Sequence, residues 1–302
     1  MATMLQLIQQ STGELGLVIP TYVAGNNTQD TIQQFSLLNA AGYELQRQYD
    51  WQAMNVEYRT TTQFVTTTGT TTDGSTTLTD IVDTTGLDAT YSIIGTGIHQ
   101  DTYVSTLDAP GPTGQVTMTQ AANATGSTTL NFCKTKYTYP AGYDRTIDKT
   151  QWVKSSHWEM LGPQTAQQWQ WLKSGFISTG PRMRFRPVGG YLQIWPPTAS
   201  AQYIGFEYIS NFWVTDVAGQ PKASFTADTD TSIFPDRLLV MGLKLKYFEI
   251  KGFDTTTLRR DYTMQLDIAK ANDSGSLTLS LNPSISQTLI GWGQIPDSGY
   301  GV

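Results

Sequence analysis

One cysteine, two histidines and charge on only 15% of its residues mark what this 302-residue chain does without. A lone thiol, Cys133, closes no disulfide within the chain. One cysteine with two distant histidines, His99 and His157, cannot build a tetrahedral zinc site, so no metal and no cofactor is expected. No apolar run reaches the ~18 residues of a membrane-spanning helix, and no membrane partner is expected. The opening MATMLQLIQQST lacks a basic region and a cleavage site, which leads to the expectation of a chain made in a cytoplasm. Nucleophile elbows, P-loops and the two-histidine zinc-protease helix are missing as well. Paired carboxylates such as Asp228 and Asp230 read as a turn and cap in DTDTS, and no catalytic residue is assigned. The chain is expected not to be an enzyme.

Low charge does not mean disorder here, because 8 Trp, 15 Tyr and 11 Phe supply a core. One further absence is local. From Thr60 to Cys133 there is no Lys or Arg, while six aspartates occur, and about a third of the segment is threonine. The remainder of the chain is electrically balanced. This shift predicts a separate module, with strands at 76–82, 91–95, 103–107, 115–120 and 128–132 set off by recurrent turn signals.

Around that segment the periodicity is helical. Leu5, Ile8, Thr12 and Leu15 share one face of a first helix, and Ile32, Phe35, Leu38, Ala41, Leu45 and Tyr49 one stripe of a second. A short helix is predicted over 164–174. The run RMRFRPVGGYLQIWPP reads as a hairpin turning at Gly189-Gly190, with 203–214 as its third strand. FPDRLLVMGLKLKYFEIKG and a further helix capped by Asp254 follow, with Lys244, Lys246 and Lys251 as a solvated face. The expected fold class is α+β: a helical bundle frame with a small antiparallel sheet, plus an inserted all-β, sandwich-like module. The expected divisions are N-terminal helices at 1–59, the acidic module at 60–136, the rest of the core at 137–275 and an extended arm at 276–302.

Two surfaces stand out. Arg182, Arg184 and Arg186 alternate with Met183 and Phe185, which places three guanidiniums on one strand face, suited to a subunit or tail interface. One strand by itself favours the plainer reading, an exposed sheet face paired with Glu207 or covered by neighbours. Trp152, Trp158, Trp195 and Trp213 read as core before sugar platform. After Ser274-Gly275 the chain alternates through Leu277, Leu279 and Leu281 and then presents Ile285, Leu289, Ile290 and Trp292. An apolar, strand-patterned terminus reads as an arm that adds a strand to a partner.

The segments LLNAAGYELQRQYDWQAM, LGPQTAQQWQWLKS, RMRFRPVGGYLQIWPPTASAQYIGFEYISNFWV and DTDTSIFPDRLLVMGLKLKYFEIKGFD occur in an order that resembles tailed-phage head–tail adaptor (connector) proteins. The plan is similar to the tail tubular protein A group of short-tailed phages. The resemblance covers most of 1–58 and 137–281 and lies in fold markers. It implies a structural virion protein at the head–tail junction: a homo-oligomeric ring, typically a dodecamer, bound to the portal protein and to a tail tube or nozzle protein. Double-stranded DNA would pass through the lumen without specific binding. The threonine-rich run resembles a β-module inserted in many phage structural proteins. The alternative is a carbohydrate-binding tail or fibre protein.

Overall fold

The computed structural model describes residues 1–109, 114–174 and 182–274. The N-terminal part contains helix α1 (Met4–Leu15), helix α2 (Gln29–Gln48), a 3-10 turn (Gln52–Met54) and strand β1 (Asn55–Thr61). Six strands follow: β2 (Phe64–Thr71), β3 (Thr77–Ile81), β4 (Tyr91–Gly95), β5 (Val104–Ala109), β6 (Gly114–Met118) and β7 (Gly126–Lys134). Then come β8 (Lys136–Thr138), β9 (Tyr143–Thr146), β10 (Trp152–Val153), β11 (Trp158–Glu159), helix α3 (Ala166–Lys173), β12 (Arg184–Val188), β13 (Tyr191–Trp195) and β14 (Tyr203–Ser210). The described chain ends with β15 (Val214–Thr215), β16 (Pro221–Lys222), β17 (Thr231–Ser232), α4 (Asp236–Lys251) and α5 (Thr256–Ser274).

The expected helical-bundle frame is therefore wrong. The described chain is mostly β, with four antiparallel sheets and only five α-helices. The physical reason lies in β14. Six of its eight residues are buried, so both of its edges recruit backbone partners. One edge pairs with β1 along its whole length, from Asn55↔Ile209 to Thr61↔Tyr203. The other is shared by β10 at Ile204 and Gly205 and by β9 at Tyr208 to Ser210. These partners are two to seven residues long and come from distant parts of the chain, which no local periodicity can register. The hairpin's third strand is likewise not 203–214 but β8, through Tyr191↔Thr138 to Gln193↔Lys136.

Helices α1, α2 and α5 pack on α4, and α3 lies apart against Trp195. Thr3 and Gln6 form a reciprocal capping box on α1, and Gly16, at φ 69°, ends it. Ala2 N–H donates to Asp236 Oδ2 at 2.9 Å, tying the start of the chain to α4. α1, α2, α4 and α5 enclose one core around Trp213, Phe225 and Phe234. Lys244 and Lys246 are not a solvated face. Lys244 pairs with Glu14 of α1 at 2.7 Å and Lys246 with Glu44 of α2, so they pin α4 to its neighbours. Asp228 and Asp230 are structural. Asp228 accepts from the N–H groups of Val23 and Ala24, and buried Asp230 from Lys222, Thr226 and Ala227. Burial raises the Asp230 carboxyl, but these donors outweigh it and hold it below the ordinary value.

The threonine-rich strands form a nearly closed, barrel-like sheet in the order β4-β7-β2-β3-β6-β5, not a sandwich. A bridge between Ser92 and Tyr103, with Ile93 N–H donating to Thr102 O at 2.8 Å, brings the two ends of the sheet together. Its interior holds Leu78, Ile81, Val116, Leu130 and Phe132, all fully buried. Cys133, next to Phe132 on β7 and so on the other face of the strand, is also buried, and burial pushes its thiol up to about 12. β2 was invisible to apolar alternation because, after Val65, its inward positions are Thr67, Gly69 and Thr71, yet it pairs with β7 over eight rungs, Phe64↔Cys133 to Thr71↔Gly126.

Entry to and exit from the barrel are adjacent, since Lys134 N–H donates to Gln63 O at 2.9 Å. Replacing residues 64–133 by a short Gly/Ser bridge is expected to leave the frame folded. Loss of the Lys173–Asp101 ion pair and its surroundings should lower Tm by about 2–4 °C, equivalent to ~1 kcal/mol. Insoluble or non-helical protein, by circular dichroism, would mean that the barrel shares the core of the frame.

Candidate functional site

Strands β12 and β13 are joined by Gly189 and Gly190, both at positive φ (61° and 80°), the backbone that a two-residue hairpin turn requires. The alternation along β12 then sorts its side chains. Phe185 points inward, 3% exposed, into a core with Met183, Ile194, Ile204 and Phe206. Arg184 and Arg186 point to the other face, each half-buried. Arg182 lies in the bend just before the strand and is exposed. Across the sheet Arg184 stands opposite Trp195, Arg186 opposite Gln193, and Gln193 opposite Lys136. The outer face therefore carries a basic row, and Glu207, paired in register with Glu57 on another sheet, does not reach it.

Helix α3 covers one end of this row. A Thr165–Gln168 capping box starts it, and Trp169 and Leu172 bury against Trp195. The segment leading into α3 hydrogen-bonds to the edge of β12: Phe185 N–H donates to Leu161 O at 3.1 Å and Gln164 N–H to Phe185 O at 3.0 Å. Between that segment, α3 and the strand lies a cleft of about 440 Å³, lined by Arg184, Gln164, Gln168 and exposed Trp171 among others. Among the described residues none forms a hydrogen bond or ion pair with the side chain of Arg182, Arg184 or Arg186. A planar guanidinium in this state is free to donate to a carboxylate or phosphate in a two-point contact.

The barrel adds charge of its own nearby. Lys173, at the end of α3, reaches Asp101 at 2.8 Å, and Lys136 and Lys173 lie 4.7 and 5.1 Å from the centre of the Tyr103 ring. Burial raises the Tyr103 hydroxyl above its usual range, and the paired Lys173 ammonium opposes that.

Trp195 and Trp213 are fully buried and Trp152 is half-buried, whereas Trp158 is exposed. Trp158 lines a second cleft of about 330 Å³ with Ser156, Thr198, Ser200 and Gln202. Sequence reasoning missed Trp171 and Gln168, because only the burial of Trp169 and Leu172 decides which face of α3 meets solvent. Leu277, Leu279, Leu281, Ile285, Leu289, Ile290 and Trp292 lie outside the described residues. Among the described residues no group of three His, Cys, Asp or Glu side chains is placed to hold a metal, and no helix is long and apolar enough to cross a membrane. No protein-family model matches this chain, and no curated protein matches it.

Proposed function

We propose that the chain is a head–tail adaptor of a tailed-phage virion. In this reading it is a non-enzymatic ring subunit, twelve copies in the plan of the resembled family. The ring joins the portal protein to a tail tube or nozzle protein and encloses the DNA channel. The expected helical bundle does not support the reading, since the described chain as a whole is mostly β. Support comes from the four resembling segments, and the observation that carries the site is the row of unpartnered guanidiniums on β12. A ring repeats each strand face in every subunit, so a few cations per chain become a belt. Cargo DNA must slide, and tight phosphate binding would oppose that. The belt therefore faces carboxylates of a protein neighbour. The terminal segment 276–302 serves in this reading as the arm that adds a strand to the portal.

Two experiments test the reading. Gold-labelled chain should be imaged at the head–tail junction of the particle, and a location on fibres would sink it. The double variant Arg184→Glu, Arg186→Glu should remain a folded monomer, with stability within about 0.5 kcal/mol, but should fail to assemble with its partners. Normal assembly would make the arginines an ordinary solvated face. A second reading, glycan binding by a tail or fibre protein, is favoured by exposed Trp158 and Trp171, each lining a cleft beside amides or hydroxyls. Binding on a glycan array that is lost in Trp158→Ala would select it.

A further inference from the structure

Among the described residues, two of the uncovered apolar surfaces differ in form. The first is the loop between α1 and α2, whose tip exposes Val18 (92%), Ile19 (56%) and Tyr22 (51%). Residues 15–29 carry no charged side chain. The loop is held in place as a projection. Gln9 Nε2 donates to Pro20 O at 2.9 Å, and Val23 and Ala24 N–H donate to the Asp228 carboxylate at 3.1 and 2.8 Å.

The second surface is the outer stripe of α5. Leu266 and Ala269 turn inward to the core. On the opposite side Met264 (56% exposed) and Ile268 (47%) recur with Ala271 at helical spacing and line an open groove of about 920 Å³. The basic side chains at its rim already have partners, Arg259 with Glu249 at 2.6 Å and Arg260 with Asp261 at 3.2 Å. Asp267 also lines the groove, and the floor between these polar groups is apolar.

We infer that the α1–α2 loop of one copy docks in the α5 groove of the next copy, as a head-to-tail contact between identical chains. A second copy is the occupant because one chain carries both halves, a fixed apolar projection and an apolar groove. The loop brings no charge of its own into the groove, and the rim cations need not give up their carboxylates, which leaves exposed Asp267 as the lining charge to be accommodated at the edge of the contact. Unlike surfaces on one chain make a heterologous contact, which repeats and closes into a ring when the rotation allows. The inference deepens the ring reading and rests on it for the identity of the partner.

The test uses two full-length variants, Val18→Asp with Ile19→Asp for the loop and Met264→Glu with Ile268→Glu for the groove. Circular dichroism and thermal melting first establish that both are folded, as surface substitutions should be. By sedimentation the wild-type chain should associate, and each variant alone should be at least tenfold weaker. An equimolar mixture should give a heterodimer that grows no further, because only one competent loop and one competent groove remain. If either variant assembles like wild type, the ring is held elsewhere and the inference fails while the ring reading stands. A wild-type chain that stays monomeric also overturns the inference, and imaging of the particle then decides the adaptor reading separately. Loop-dependent flotation of a monomeric chain with phosphatidylcholine vesicles would identify a lipid surface as the occupant instead.

Discussion

Phe185→Ala is expected to lower the unfolding free energy by about 3–5 kcal/mol, the cost of removing a buried aromatic and leaving a cavity. The ring is 3% exposed, packed among Met183, Ile194, Ile204 and Phe206. Its surroundings cannot collapse easily. A Cβ at Gly162 would come within 2.8 Å of the ring, so backbone already presses on one side. Phe185 also couples two sheets, since it belongs to β12 while Ile204 and Phe206 belong to β14. Its neighbour in sequence supplies the control. Arg186→Ala on the same strand should change stability by no more than about 0.5 kcal/mol, because the side chain is half-buried and has no hydrogen-bond or ion-pair partner among the described residues. Urea unfolding followed by tryptophan fluorescence reads both. A loss below ~1.5 kcal/mol for Phe185→Ala would contradict the packing described here.

Gly42→Ala should also be severe, against the helix-propensity rule that favours alanine over glycine by up to ~1 kcal/mol. Gly42 lies within α2, and a Cβ there would fall inside the Trp213 indole. The indole has nowhere to retreat. It is fully buried, stacks on Phe234 with centroids 5.8 Å apart, and meets Phe225 edge-on at 5.1 Å. Overpacking of this kind typically costs 1–3 kcal/mol, and a net loss of about 2 kcal/mol or more is expected. Trp213→Phe should make room, so the double variant should cost less than the sum of the singles by about 1 kcal/mol. Strict additivity would mean that the two residues do not share a contact.

What the sequence made legible was local. The apolar stripes of α1 and α2 predict those helices, Pro235, Asp236 and the Gly252 stop (φ 72°) frame α4, and the Asp254 cap, which accepts from Thr256 N–H at 3.0 Å, announces α5. Gly189-Gly190 likewise announces its hairpin. The frame was misjudged because β1, β9 and β10 owe their state to β14, many residues away, and carry little pattern of their own. β2 escaped because threonine satisfies a barrel wall by backbone pairing and β-branching, without the alternation that apolar residues display. At the site, alternation alone separated Arg184 and Arg186 from Phe185. The cleft beside them needed the fold of α3, which the sequence does not orient.

The pairing of Gln63 with Lys134 at the foot of the barrel bears on the order in which the chain folds. Pairing β1 with β14 brings Thr61 to Tyr203 across a long stretch of chain. The barrel is the part of that stretch built mainly from neighbouring strands, and it can form before the closure. Once formed, it holds its two ends together and roughly halves the free loop, which reduces the closure entropy by about 0.6 kcal/mol and speeds the search about threefold. An insertion that lengthens the sequence thus shortens the path to the native frame, provided it folds first.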